Sequence, residues 1–553
     1  MKKGKLSGAK ALITALEKQG VELIFGYPGG ATLPIYDELA KSSIRHVLPR
    51  HEQGAAHMAD GYARITGKVG VCMATSGPGS TNLVTGIATA YMDSSPIIAI
   101  TGQVPRYMIG NDAFQEVDTS GITIPITKHN YLVQHAKEIP EIIEEAFYLA
   151  STGRKGPIVI DIPKDIQTET FSSEQAKSIS LEGYKPTTKG HSGQIKRAAT
   201  LLKRAQRPLL IAGGGVFHSN ATEALQRLVE KFSMPVAYTL MGKSVFPNSH
   251  PLCLGLLGYH GRVESNRAVL QADVILAVGT RFGDRSTGPV NSYAPHAQII
   301  HIDIDPAEIS KNIDAHLPIV GDANNILPLL TEQLPETKHD EWLELLKKTA
   351  EEHPLKGNMT GVTIPNILRI LKQVAPDPIL VTDVGKHQIF SAHYFPIDAP
   401  RCFISSGGLG TMGFGAPAAI GAKASNPSKP VVAVVGDGSF IMTCQEIAAA
   451  VEEKFPVVVL VMNDYCLGMI KQLQDSFYGK RHESCGLGRS VDYAKLAESM
   501  GGVGIRVTEE SQIEPAIRAG LDEERITVID CILEDTSHIY PMVTGKSLSE
   551  YQE

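Results

Sequence analysis

Two acidic residues close two apolar runs at a spacing that suits a metal-bridged phosphate. Gly436-Asp437-Gly438 ends the run PVVAVVGDG (430–438), and Asn463-Asp464 ends PVVVLVMND (456–464), with 24 residues between the two turns. If the runs are neighbouring parallel strands, both turns reach one carboxyl edge, where open α/β sheets bind ligands. The glycines let backbone approach a phosphate, and a helix starting there favours its negative charge. Asp437 and Asp464 are hard oxygen ligands of the kind Mg²⁺ takes beside substrate phosphates.

The elements that position such turns are legible along the chain. Further apolar runs are PIIAITG (96–102), PIVIDIP (157–163), PLLIAGGG (208–215), DVILAVG (273–279) and QIIHIDIDP (298–306). They do not alternate apolar with polar, so they predict strands of parallel sheets covered on both faces. Helix-like stretches such as Thr81–Tyr91, Ala221–Phe232 and Thr443–Glu453 lie between them. The pattern predicts an α/β chain of three doubly wound parallel-sheet domains. Polar stretches at Ser172–Ser192 and Glu336–Gly361 read as linkers and place the domains at 1–172, 190–335 and 362–553. The first and third share a faint repeat of strand, Gly-rich turn, helix and strand. Pro96 stands 19 positions after Gly77, and Pro456 stands 20 positions after Gly436.

Composition narrows the function classes. The chain has 553 residues, 43% hydrophobic and 20% charged, enough apolar material for several cores. Its net charge is −7 and it has no long basic block, which argues against a nucleic-acid binder. Seven scattered cysteines without a CxxC pair argue against a disulfide scaffold or zinc ribbon and fit a reducing compartment. The N-terminus places Leu6, Ala9, Leu12, Ile13 and Leu16 on one helical face, with Gly20 as a stop. It reads as a first helix, not a signal segment. No run of about 18 apolar residues suggests a membrane span. The expected address is the cytoplasm.

The GDG turn and its Asn-Asp partner resemble the diphosphate motif of thiamine-diphosphate enzymes. RHEQGAAHMADGYAR (50–64) and SGPGSTN (76–82) strengthen the likeness. Further stretches narrow it to the acetohydroxyacid (acetolactate) synthase family: GYPGGATLPIYD (26–37), DAFQEVD (112–118), TKHNYLV (127–133), SGGLGTMGFGAPAAIGAK (406–423) and LGMIKQLQDSFY (467–478). They run nearly from end to end.

That resemblance implies a carboligase that decarboxylates pyruvate on thiamine diphosphate. It joins the two-carbon unit to a second pyruvate, giving 2-acetolactate, or to 2-ketobutyrate, giving 2-aceto-2-hydroxybutyrate, at the entry to branched-chain amino acid biosynthesis. By the same resemblance Glu52 hydrogen-bonds the pyrimidine ring and promotes proton removal from the thiazolium carbon. Gln115 lies near the thiazolium, Phe114 lines the substrate pocket, and Lys128 adds positive charge near the anionic substrate. Tyr27, Pro28, Gly29, Thr75 and Pro78 embrace the pyrimidine. His387, Gln388, Gly410, Gly436, Gly438, Ser439, Leu467, Gly468 and Met469 surround the diphosphate side, and Met412 is the apolar wedge under the bent cofactor. Mg²⁺ takes Asp437, Asp464 and the Cys466 carbonyl.

The middle block carries Gly-rich strand ends that suit a dinucleotide pyrophosphate or plain αβ turns equally well; none is a GxGxxG. GGG (213–215), TLMGKSVFP (239–247), YHGRVESN (259–266), GTRFGDR (279–285) and IDIDPAEI (302–309) resemble the FAD-binding domain of the family. The implied flavin contacts are Arg154, Gly213, Gly214, Gly215, Thr239, Leu240, Met241, His260, Gly261, Gly279, Arg281, Asp303 and Asp322, with FAD mainly structural. Arg285 matches the arginine that recognises the second keto acid's carboxylate, a task for its planar fork.

Two positions depart from the family. Leu473 stands where biosynthetic members carry a Trp that favours 2-ketobutyrate. Tyr259 stands where many relatives have Met. Both leave the acceptor open, and a pyruvate-specialised catabolic synthase is an alternative. So is a pyruvate oxidase or decarboxylase on the same fold. The resemblance further implies active sites shared between two subunits, hence a homodimer or homotetramer, and it allows a small regulatory subunit.

Overall fold

The structure is a computed structural model and describes residues 5–172, 181–534 and 537–552. Positions 173–180 of the first expected linker lie outside the described residues. Three six-stranded sheets carry the fold, and every pairing within them is parallel. The first contains β1 (Leu23–Gly26), β2 (Arg45–Val47), β3 (Gly70–Ala74), β4 (Ile97–Gln103), β5 (His129–Leu132) and β6 (Ile158–Pro163). The second contains β7 (Pro208–Ala212), β8 (Val236–Tyr238), β9 (Cys253–Leu256), β10 (Val274–Val278), β11 (Gln298–Asp303) and β12 (Leu317–Val320). The third contains β13 (Ile379–Thr382), β14 (Phe403–Ile404), β15 (Val431–Gly436), β16 (Val458–Asn463), β17 (Val503–Val507) and β18 (Thr527–Ile532).

All seven apolar runs read from the sequence become interior strands. The physical reason is that an interior parallel strand is covered on both faces and needs apolar side chains throughout. The edge strands β5 and β17 are partly exposed and more polar, so they leave no such run. Strand order in the first sheet is 2-1-3-4-6-5, and in the third 14-13-15-16-18-17, the same arrangement. The faint sequence repeat is therefore a repeat of topology. The middle sheet runs 9-8-7-10-11-12, the order of dinucleotide-binding sheets.

The helices that matter for the site are α1 (Gly8–Lys18), α2 (Glu52–Thr66), α3 (Pro78–Met92), α4 (Asp340–Glu352), α5 (Lys386–Tyr394), α6 (Gly415–Ser425), α7 (Asp437–Phe440), α8 (Glu446–Glu452) and α9 (Gly468–Phe477). As the spacing predicts, α1 buries Ala9, Leu12, Ile13 and Leu16, but Leu6 precedes it in a short strand (Lys5–Ser7) paired with Thr170–Ser172, and the Ser7 hydroxyl caps the helix by accepting from the Lys10 amide. Within the stretch read as the second linker, α4 packs on the middle domain. Trp342 is buried there and donates to the Pro208 carbonyl at 3.0 Å.

The first and third domains meet where α2 crosses α6. Gly61 lies against the Ala418 carbonyl and Gly421 against the Met58 carbonyl, too close at either point for a Cβ. Arg64 bridges this contact from two ion pairs inside the first domain to a carbonyl of the third. Arg64 holds Asp60 at 2.7 Å and Asp93 at 2.9 Å, and its guanidinium also donates to the Ser405 carbonyl. The buried carboxylates and Arg64 satisfy one another, which is the condition for keeping charge inside.

Candidate active site

The two acidic turns meet as the spacing predicts, because β15 and β16 are adjacent parallel strands. Asp437 opens α7 with its side chain buried. Burial, then the neighbouring Asp464, pushes its carboxyl up to about 7, while the peptides of Gly438, Tyr465 and Cys466 oppose that rise. Burial also raises Asp464, offset by the Lys386 ammonium 3.5 Å away. Two buried carboxylates against one lysine leave a place that favours a further cation. Among the described residues no group of three or more His, Cys, Asp or Glu side chains forms a metal cage. A cation here would therefore complete its shell with carbonyls, water or ligand phosphates, the habit of Mg²⁺.

The surroundings are shaped for close backbone approach. A Cβ on Gly438 would lie 2.7 Å from Leu467, and Gly468 has no room beside Lys386 and Asp464. The Ser439 hydroxyl donates to the Gly436 carbonyl and accepts from its amide, closing the turn. His387 is buried on the same side with its Nε2 unpartnered, and burial drives it down to about 3, so it stays neutral. Gln388 is committed to Ser405 and Ser406. Asp383, absent from the sequence reading, accepts from the amides of Val384, Gly413 and Gly415. It thereby holds the turn that carries Gly410 and Met412. Lys386 was also missed, although it precedes His387 directly; a lysine beside a motif histidine carries no periodic signal.

One cavity of about 840 Å³ joins this corner to the middle domain. The strand order of the middle sheet reverses between β7 and β10, and the crevice opens at their carboxyl ends. Gly213 and Gly215 there lie against Gly279 with no space for side chains. Gly214, Thr239, Leu240, Met241, His260 and Arg281 line the wall. Arg154 reaches across from the first domain, donating to Ser94 at 3.0 Å and pairing with Glu308 at 2.6 Å and Asp305 at 3.2 Å. Burial lowers Arg281 and pushes Asp303 up to about 7. Asp322 lines the same wall and caps the following helix through the Asn324 amide. Gly261 lies just behind it, against the Gly258 amide. Arg285, Tyr259, Leu473 and Met469 line the same cavity. The Arg285 guanidinium sits 5.1 Å over the Tyr259 ring and is otherwise exposed.

A second constellation forms on the first domain, outside that cavity. Glu52 is the first residue of α2, and its Oε2 accepts from the Asn82 amide group at 2.9 Å. Asn82 closes the SGPGSTN motif and was not singled out. A Cβ on Gly29 would lie 2.5 Å from Thr75, whose hydroxyl accepts from the Ala31 amide. Gly77 has φ +59° and lies under Gln115, and Pro78 starts α3 beside it. Tyr27 and Pro28 are exposed, and Phe114 is 87% exposed. Lys128 joins neither group. Its ammonium is spent on the carbonyls of Leu149 and Thr152 and the Tyr184 hydroxyl, and burial pushes it down to about 8.

Three family models match the chain. They are described as the N-terminal TPP binding domain (residues 6–122), the central domain (195–330) and the C-terminal TPP binding domain (383–531) of thiamine pyrophosphate enzymes. The chain is 48% identical to a "Probable acetolactate synthase large subunit" of Methanocaldococcus jannaschii, covering 97% of this chain and 93% of that protein. The chain belongs to the acetolactate synthase large-subunit family. Its acetolactate synthase relatives include the large subunit of Buchnera aphidicola subsp. Acyrthosiphon pisum, 45% identical over 99% of this chain and 98% of that one. The isozyme 3 large subunit of Escherichia coli is 44% identical with the same coverage. As a member of the acetolactate synthase family the chain is a thiamine-diphosphate-dependent enzyme. The two constellations fall in the two matched thiamine-binding models, and the glycine-lined crevice falls in the central one.

Proposed function

We propose that this chain catalyses acetolactate synthesis, with pyruvate as donor and pyruvate or 2-ketobutyrate as acceptor. The observation that carries the reading is one cavity lined both by the Asp437–Asp464 corner and by the exposed Arg285 guanidinium. Thiamine diphosphate, when bound, supplies the electron sink for decarboxylation. Asp437, Asp464 and the Cys466 carbonyl would hold Mg²⁺ at the diphosphate, with His387 and Gln388 beside it and Met412 as the apolar support. Glu52 accepts and returns a proton at the pyrimidine ring, held in line by Asn82. Arg285 pairs with the acceptor's carboxylate. The glycine turns at β7 and β10, with Arg154 and Thr239–Met241, fit the pyrophosphate of FAD in a structural role.

Glu52, Gln115 and Phe114 do not line the cavity of their own chain. The reading therefore pairs two copies, each offering its first-domain constellation to the other's cavity. Exposed Leu33, Tyr107, Phe114 and Met442 supply apolar surface for that contact. A homodimer or homotetramer follows, and the relatives' designation as large subunits supports a small regulatory partner. No described helix is long and apolar enough to cross a membrane.

Product analysis tests this. Purified protein receives thiamine diphosphate, Mg²⁺ and FAD with equal pyruvate and 2-ketobutyrate. Acetohydroxy acids are the expected products. Free aldehyde alone, or flavin reduction with oxygen uptake, would overturn the reading in favour of a decarboxylase or an oxidase.

A further inference from the structure

A buried carboxylate of the third domain reaches the start of the helix that bears Glu52. Glu446, the first residue of α8, is fully buried. Its Oε1 and Oε2 accept from the Arg50 amide at 3.2 and 3.0 Å, a contact across 396 positions of chain. The His51 peptide adds a second stabilising contact. Gly54 leaves the space the carboxylate occupies; a Cβ there would collide with Oε1. The far end of α8 is tied to the first domain as well, where Glu453 pairs with Arg45 of β2 at 2.6 Å. The Arg50 guanidinium turns away to the Leu48 carbonyl and makes no side-chain bond to Glu446.

We propose that Glu446 is a positioning residue for Glu52: from the third domain it holds the Arg50–His51 peptide and so fixes where α2 begins and where the Glu52 carboxylate stands. The inference rests on the reading of Glu52 as the proton-transferring group. Reach decides the effect. Gln keeps an acceptor oxygen at the same distance, Asp keeps the charge but withdraws by one methylene, and Ala keeps neither. Burial of Glu446 gives this weight, because its carboxylate sits where water competes least for the bond to the half-buried Arg50 peptide.

Two readouts test it. Amide hydrogen exchange of the full-length, cofactor-free protein reads Arg50 directly. Glu446→Ala and Glu446→Asp should speed exchange at Arg50 roughly ten-fold or more, with α6 and β4 still protected, while Glu446→Gln stays near wild type. In the loaded enzyme, hydrogen–deuterium exchange at the thiamine C2 position should follow the same order. Should the alanine variant fail to fold, the Gln and Asp variants carry the test. Wild-type behaviour of Asp with loss in Gln would overturn the proposal, since charge and not reach would then be at work. So would unchanged Arg50 exchange in the Asp variant. Glu52→Gln runs in parallel. A wild-type C2 rate in that control would overturn the Glu52 reading, and the inference with it. A slowed control beside an unaffected Asp variant would overturn the positioning role alone.

Discussion

Lys386 and Asp464 stand 3.5 Å apart with side chains only 6% and 7% exposed, and Asp437 adjoins them. Within this triad one ammonium faces two buried carboxylates. Coulomb repulsion in a poorly solvated corner is strong, so a divalent cation gains there what bulk water would screen. Asp437→Ala should weaken Mg²⁺ and thiamine diphosphate retention together, by roughly ten-fold or more; each factor of ten is about 1.4 kcal/mol. Chelation of the wild type should release the cofactor in the same way. Titration calorimetry with each ligand, alone and combined, checks both. Normal affinity of the variant for both ligands would refute the metal site.

Glu52 is held by Asn82 at the mouth of α2, in reach of Gly79 and Thr75. Glu52→Gln keeps the shape and removes the exchangeable carboxyl proton. It should leave the fold intact and slow C2 exchange by roughly 10²–10⁴-fold, the usual contribution of a placed acid–base group. Proton NMR of the bound cofactor after acid quench measures it.

Leu473 and Tyr259 line the same cavity as Arg285. A larger flat side chain at position 473 adds contact for one extra methyl group. Leu473→Trp should raise the preference for 2-ketobutyrate over pyruvate by up to roughly 10–200-fold, the range for one methylene in an apolar pocket. The product ratio at equal substrate concentrations reads it, and an unchanged ratio would remove Leu473 from the acceptor pocket.

Burial pushes the Glu446 carboxyl up to about 7, against the Arg50 and His51 peptides and beside Glu52. For an acid raised in the folded state, the stabilising contribution is present below its unfolded value and is lost as pH rises through about 7. Wild type should therefore lose stability relative to Glu446→Gln between pH 5 and 8, by at most about 3 kcal/mol at 1.36 kcal/mol per unit. Denaturant unfolding of both proteins at the two pH values gives the difference. Parallel curves would show that Glu446 does not titrate in that window.

Gly61 and Gly421 let α2 and α6 touch backbone to backbone. Gly61→Ala puts a methyl group against the Ala418 carbonyl, a backbone atom that can give way only if the two helices move apart. Overpacking of this kind costs about 1–3 kcal/mol. The thermal midpoint should fall while residual activity per folded molecule falls less.

The sequence by itself determined the fold class, the seven interior strands, the acidic turns and the family. Each of these depends on short stretches: a parallel strand needs an unbroken apolar run, and a phosphate turn needs glycine beside an acidic residue. Edge strands such as β5 stayed hidden because one exposed side relaxes the apolar demand. Trp342 read as linker because a charged helix does not show locally which domain its one apolar face will cover. Tertiary structure alone decided the pairings across the chain. It placed Glu446 under Arg50, turned Lys128 toward helix-end carbonyls, and kept Glu52 away from the cavity that holds Asp437. Such contacts follow from how helices and sheets pack, and packing is set by the complementary shape of surfaces hundreds of residues apart, which no local pattern of residues encodes.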